Sequence, residues 1–182
     1  MLDGHLARLG MDLVFIDGNH DNHEALRALP KEPDRTSHVT PHIKYLPRGG
    51  RIKHGGQTIG GRGGAFSIDF KRRTEGVGWW PREEVEAHDV QALIADGPVD
   101  ILLTRDVSSG FGGAKPGIVR RSQEIQDRAQ VSCDLIHQAV NALTPTVVFR
   151  GHWRRRLTTD LYQYKQKLHP CRSFGPGLFG RR

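Results

Sequence analysis

The sequence predicts an α/β protein whose strands are partly parallel and partly antiparallel, and three observations predict it. Leu13-Val14-Phe15-Ile16 is a short buried-strand signal that passes through a turn at Gly18 into a helix that Asn22 can cap, the strand-turn-helix order of an α/β unit. Residues 99–104 and 146–149 are near-continuous apolar runs, as expected of strands covered on both faces, and they flank a long amphipathic helix. Between residues 43 and 59, short β-type segments are separated by glycine pairs, which is the pattern of antiparallel hairpins.

Taken in order, Leu2, Leu6 and Leu9 recur at helical spacing and Gly10 can supply a left-handed cap, so the chain opens with a short helix. Residues 12–16 then form a strand and residues 22–29 a helix ended by Pro30, with a polar connector over 31–41. Strands are expected at 43–46, 51–53 and 57–59, joined as a meander of hairpins. The glycine-rich run 60–64 lacks the strand-to-helix context and lysine of a nucleotide loop, and close backbone packing is the simpler reason for it. Lys71-Arg72-Arg73 opens a basic loop that ends in Trp79-Trp80, whose rings either close over the core or offer a stacking platform. Pro81 suits the first turn of a helix through Ala95, with Glu83 and Glu84 near its positive end and Asp96-Gly97-Pro98 as its stop. After the strand at 99–104, the glycine-rich loop 107–118 is a candidate rim. Ile125, Ala129, Cys133, Ile136, Val140 and Leu143 mark one face of the long helix. The strand at 146–149 delivers Gly151-His152 to a sheet edge, and residues 157–159 are expected to return beside it. Residues 161–182 have no period that buries anything, so the expectation is one domain over 1–160 and an irregular basic tail over 161–182.

The composition is that of an ordinary globular chain of 182 residues, 36% hydrophobic and 26% charged, which is enough for one core. No apolar run approaches the roughly 18 residues needed to cross a membrane, and no signal pattern opens the chain, so a cytoplasmic location with no membrane partner is expected. Two cysteines, Cys133 on the helical face and Cys171 in the tail, are too few for a disulfide framework. The net charge of +7 attracts phosphates of any kind, nucleic acid included, although arginine-rich coding bias gives the same number.

The first strand ends on Gly18-Asn19-His20-Asp21, which displays an amide oxygen and an imidazole at the carboxyl end of a strand, where ligands bind in open α/β sheets. This block resembles the Gly-Asn-His-Asp/Glu motif of the calcineurin-like metallophosphoesterases. Three further blocks resemble the same family in the same order: Gly60-Gly61-Arg62-Gly63-Gly64-Ala65 its Gly-Gly-Ala segment, Leu102-Leu103-Thr104-Arg105-Asp106 its Leu-Thr-His-Asp strand end, and Gly151-His152-Trp153-Arg154 its Gly-His-x-His block. The chain departs from the family at two positions, where Arg105 and Arg154 stand in place of histidines. Asp3-Gly4-His5 spells the opening Asp-x-His pair but sits inside the first helix, with no strand before it.

The resemblance implies a four-layer α/β/β/α sandwich of two mixed sheets flanked by helices, with the opening strands missing because the Asp-x-His and Gly-Asp blocks fall upstream of Met1. The strand at 12–16 then has an exposed edge through which the chain can self-associate. The resemblance also implies a hydrolase of phosphomonoesters or phosphodiesters using divalent metal ions such as Mn²⁺. Asn19 and His152 match ligands of one metal, and His20 matches the residue that contacts the phosphoryl group and protonates the leaving oxygen. Guanidinium groups stay protonated and repel cations, so Arg105 and Arg154 point instead to direct binding of a phosphate ester or phosphate-like anion. Three readings follow: a metallophosphoesterase with impaired or lost activity, a non-catalytic phosphate- or nucleic-acid-binding protein on the same fold, and a remnant with no independent function.

Overall fold

The computed structural model describes residues 2–111 and 121–152, together with the backbones of residues 162–164, 167–169 and 172–174. It is mixed α/β, with two mixed sheets and helices, as the sequence predicts at that level. Helix α1 (Leu2–Leu9) ends in Gly10 at φ 62°, the left-handed cap expected there. Strand β1 (Leu13–Phe15) leads to α2 (His23–Ala28), where the Asn22 side chain accepts the Ala25 N–H at 3.0 Å as the N-cap. Next come β2 (Ser37–Thr40), β3 (Ile43–Tyr45), β4 (Arg51–His54), β5 (Gln57–Arg62), α3 (Ala87–Ala95) and β6 (Ile101–Thr104). The described elements end with α4 (Gln123–Leu143), β7 (Val147–Arg150), β8 (Tyr162–Tyr164), β9 (Lys167–His169) and β10 (Arg172–Phe174).

The first sheet has the order β1-β3-β2, with β1 parallel and β2 antiparallel to β3. The second has the order β10-β7-β6-β5-β4, parallel except for β4 at its edge. Helices α3 and α4 pack on one face of it. Leu102 and Val148 are paired in register, and they join Val90, Leu93, Ile136, Val140 and Leu143 in the main core. The face read from the spacing of α4 is the one that is buried, and Cys133 is 1% exposed within it. Ile125, at the amino end of that face, is only half-buried.

Four local expectations are corrected. The connector at 31–41 contains β2, a short polar edge strand whose single neighbour gives it no alternating buried face to betray it. Strand β3 does not form a hairpin with β4. The turn at 47–50 carries the chain from one sheet to the other, and both backbone groups of Gly61 bond back to Gly49 and Gly50. Pro81 starts only a 3-10 turn (Pro81–Glu83), and α3 begins at Ala87. Glu83 and Val85 are both buried, which extended backbone at Glu84 (φ −70°, ψ 157°) allows and a continuous α-helix does not. Within the stretch expected to be irregular, β8 pairs with β9, and β10 adds to the edge of β7 in parallel register. That pairing satisfies backbone groups, and no side-chain period announces it. The expected return strand at 157–159 lies outside the described residues.

The two sheets meet where β1 and β5 end. Gly64 donates its N–H to the Asp17 carbonyl at 3.1 Å, and a Cβ on Gly63 would lie 2.0 Å from Asp17 Oδ1. The glycine run therefore serves close backbone packing, the simpler of its two readings. Gly63→Ala is expected to cost about 2–3 kcal/mol through overpacking against a buried carboxylate. Gly4→Ala, on α1 with nothing within 4 Å, should instead gain a few tenths to about 1 kcal/mol from helix propensity. Urea unfolding of the two variants checks the pair, and equal midpoints would contradict the packing reading.

Candidate functional site

The carboxyl ends of β1, β5, β6 and β7 converge. Arg105 N–H donates to the Arg62 carbonyl, Gly151 N–H to the Thr104 carbonyl, and Gly64 N–H to the Asp17 carbonyl, each at 3.1 Å. These bonds bring Asn19, His20, Arg105 and His152 to one place, as the motif order predicts. The Arg105 side chain passes between two glycines: a Cβ at Gly18 would meet its Nε at 3.0 Å, and one at Gly151 would meet its Nη1 at 2.7 Å. The absence of side chains at 18 and 151 is what admits the guanidinium. His152 takes φ 67°, an uncommon conformation for a residue with a Cβ, at the turn after β7.

Arg105 Nη2 donates to Asn19 Oδ1 at 2.9 Å, and Asn19 Nδ2 donates to Ser67 Oγ at 2.8 Å. The Asn19 amide is 1% exposed and held at both ends. His20, on the open side, receives both terminal nitrogens of Arg73, at Nδ1 and, at 3.3 Å, at Nε2. Arg73 is anchored in turn by Asp69 at 2.8 Å and by the Gly78 carbonyl at 3.2 Å. Burial lowers the pKa of His20, and the charges of Arg73 and Arg105 lower it further against Asp69 and Asp21. Burial likewise lowers that of His152, with Arg105, His20 and Arg73 adding to it and Asp106 opposing. Both imidazoles are thus kept neutral by a field of fixed cations.

Arg73 was not singled out in the sequence, where it is one of three consecutive basic residues on a loop. Its only signal is that this run sits between the glycine segment and the two tryptophans. Those rings turn inward: Trp80 is 6% exposed with its edge toward His23, and Trp79 packs on Phe70 at 5.6 Å. Arg150 lies on the helix side of the sheet, 5% exposed, where the Asp106 charge acts on it. Arg154 lies outside the described residues, so its expected place beside Arg105 is not described.

The donor set does not fit a divalent cation. A hard metal needs the Asn19 carbonyl oxygen, which already accepts from a guanidinium, and free imidazole lone pairs, whereas the His20 nitrogens face Arg73. Among the described residues, no three carboxylate, imidazole or thiolate groups come together to hold a metal ion. Neither a protein-family model nor a curated protein matches the chain. The metallophosphoesterase resemblance therefore rests on the four ordered motif blocks.

Proposed function

We propose that the chain binds a phosphate group directly, without metal and without turnover, on a fold of the metallophosphoesterase type. One observation carries this reading: the Arg105 guanidinium lies on Asn19 Oδ1, the oxygen through which the family would bind its ion. Arg73 supplies a second guanidinium, and two such forks suit the tetrahedral oxygens of a phosphate. His20 and His152 accept a proton at small cost in that company once an anion arrives, because its charge offsets the repulsion that keeps them neutral. The same reading takes the two mixed sheets as the inner layers of a four-layer sandwich and the chain as cytoplasmic, in keeping with its two unpatterned cysteines. No helix among the described residues is long and apolar enough to cross a membrane.

Calorimetric titration with inorganic phosphate tests the proposal, run with chelator and again with Mn²⁺. The expected result is binding that is indifferent to both and weaker at high salt. A chromogenic phosphodiester should be hydrolysed no faster than in a buffer blank, with or without Mn²⁺. Chelator-sensitive turnover, or phosphate binding that requires Mn²⁺, would return the chain to the metalloenzyme class.

A further inference from the structure

Behind the cationic cluster lies a carboxylate that the phosphate-binding reading does not use. Glu83 is fully inaccessible in its 3-10 turn, and its Oε1 accepts the Ser67 amide N–H at 2.8 Å. The Ser67 hydroxyl also stabilises this carboxylate, while its oxygen accepts Asn19 Nδ2. Asn19 Oδ1 then accepts from Arg105. Glu83, Ser67, Asn19 and Arg105 thus form one directed chain from the interior to the cleft, each donor facing an acceptor. Glu83 Oε2, at the inner end, has no hydrogen-bond partner of normal geometry.

We propose that Glu83 is a proton switch for the anion site: ionised, it locks Asn19 onto Arg105 through Ser67, and protonated, it releases both for the anion. The switch rests on the reading of this cleft as a phosphate site. An ionised carboxylate can only accept, so the Ser67 hydroxyl proton points to it and Ser67 can only accept from Asn19. The amide must then turn Nδ2 inward and Oδ1 toward Arg105. With a proton on Oε2, the Glu83 O–H donates to Ser67 Oγ, and the hydroxyl proton turns to Asn19. Rotation of the amide presents Oδ1 to it and turns Nδ2 toward Arg105. Two donors then face each other, and an anion oxygen is the acceptor that suits both.

The charges around Glu83 permit this. Burial dominates and raises its carboxyl to about 7, the Ser67 bonds and Arg73 work against that, and Glu84 adds to it. Arg128 pairs with Glu84, and Arg48 bonds the Glu83 carbonyl but is committed to Asp17. Anion binding is therefore coupled to proton uptake at Glu83 as well as at the two imidazoles.

The test uses sulfate, whose charge is constant over the range, titrated at about pH 5.5 and about pH 8 into the native chain and Glu83→Gln. The glutamine mimics the protonated acid, since its amide donates to Ser67 at any pH. The variant should bind sulfate about tenfold more tightly than the native chain at the higher pH and equally at the lower. His20 and His152 titrate in both proteins, so the ratio isolates Glu83. A second measurement needs no anion: the Asn19 side-chain amide resonances should titrate in the native chain with a midpoint near pH 7 and stay constant in Glu83→Gln. Equal sulfate affinities at both pH values, with binding intact, would overturn the switch and leave the anion site standing. An Asn19 amide that does not titrate in the native chain would overturn it even if the variant fails to fold. Loss of sulfate binding in both proteins at both pH values would overturn the phosphate reading, and the switch with it.

Discussion

Asp17→Ala is expected to cost about 3–5 kcal/mol, a large share of the stability of a domain of this size. Asp17 has no exposed surface, and its Oδ2 accepts both Nε and Nη2 of Arg48, at 2.9 and 2.7 Å. Its Oδ1 accepts the Tyr45 hydroxyl at 2.9 Å, and His23 Nδ1 lies 3.3 Å from Oδ2. Burial alone would push this carboxyl up, but His23 and Arg48 outweigh it and hold it well below the usual carboxylate range. Removing it leaves the Arg48 and Arg62 guanidinium groups, 4% and 0% exposed, with Asp89 as their nearest carboxylate, 3.8 Å from each. Arg62 already feels the shortage, with burial first and Arg48 second lowering it to about 10. Chemical denaturation checks the size of the loss, and Asp17→Leu combined with Arg48→Met should lose less than Asp17→Ala alone, since no buried cation is stranded. A loss below about 1 kcal/mol would mean that the network merely fills space.

Asp17 and Glu83 also fix the sign of the pH dependence. The folded value of Asp17 is depressed, so its contribution is present above about 3.8 and is lost as pH falls through the folded value. The folded value of Glu83 is raised, so its contribution is complete below about 4.5 and is lost as pH rises through about 7. Together they favour a stability maximum on the acid side of neutrality, although the chain's pI is near 9.8.

What the sequence discloses follows from where the information lies. The strand ends at Asn19, Arg105 and His152 were legible because each follows an apolar run with a glycine or polar stop, and parallel strands bring such ends together. Helix α4 was legible because its buried face repeats for six turns. Strands β2 and β10 were not, because an edge strand needs only backbone pairing. Arg73 and Glu83 were hidden for another reason. Both lie on non-repeating backbone, at the end of one 3-10 turn and at the close of another, where sequence spacing says nothing about direction. Glu83, read as a helix-dipole partner, is instead a buried acceptor from a residue 16 positions away.

Arg73→Ala combined with Arg105→Ala is expected to weaken phosphate binding at least about a hundredfold. A charge-assisted hydrogen bond contributes roughly 1.5–3 kcal/mol, so each guanidinium accounts for tenfold or more. Arg105→Lys should fall between, because an ammonium keeps the charge but not the fork that reaches both Asn19 and an anion. The double variant carries a second signature that a general loss of folding would not produce. His20 and His152 are both held down by these two guanidinium groups in addition to burial, so their imidazoles should titrate at higher pH once the arginines are gone. Proton NMR of the imidazole resonances reads that shift directly, and calorimetry reads the affinity. An unchanged affinity with raised histidine values would place the anion elsewhere on this basic surface. Unchanged histidine values would mean that the four side chains do not share one electrostatic site, and the proposed function would fall with them.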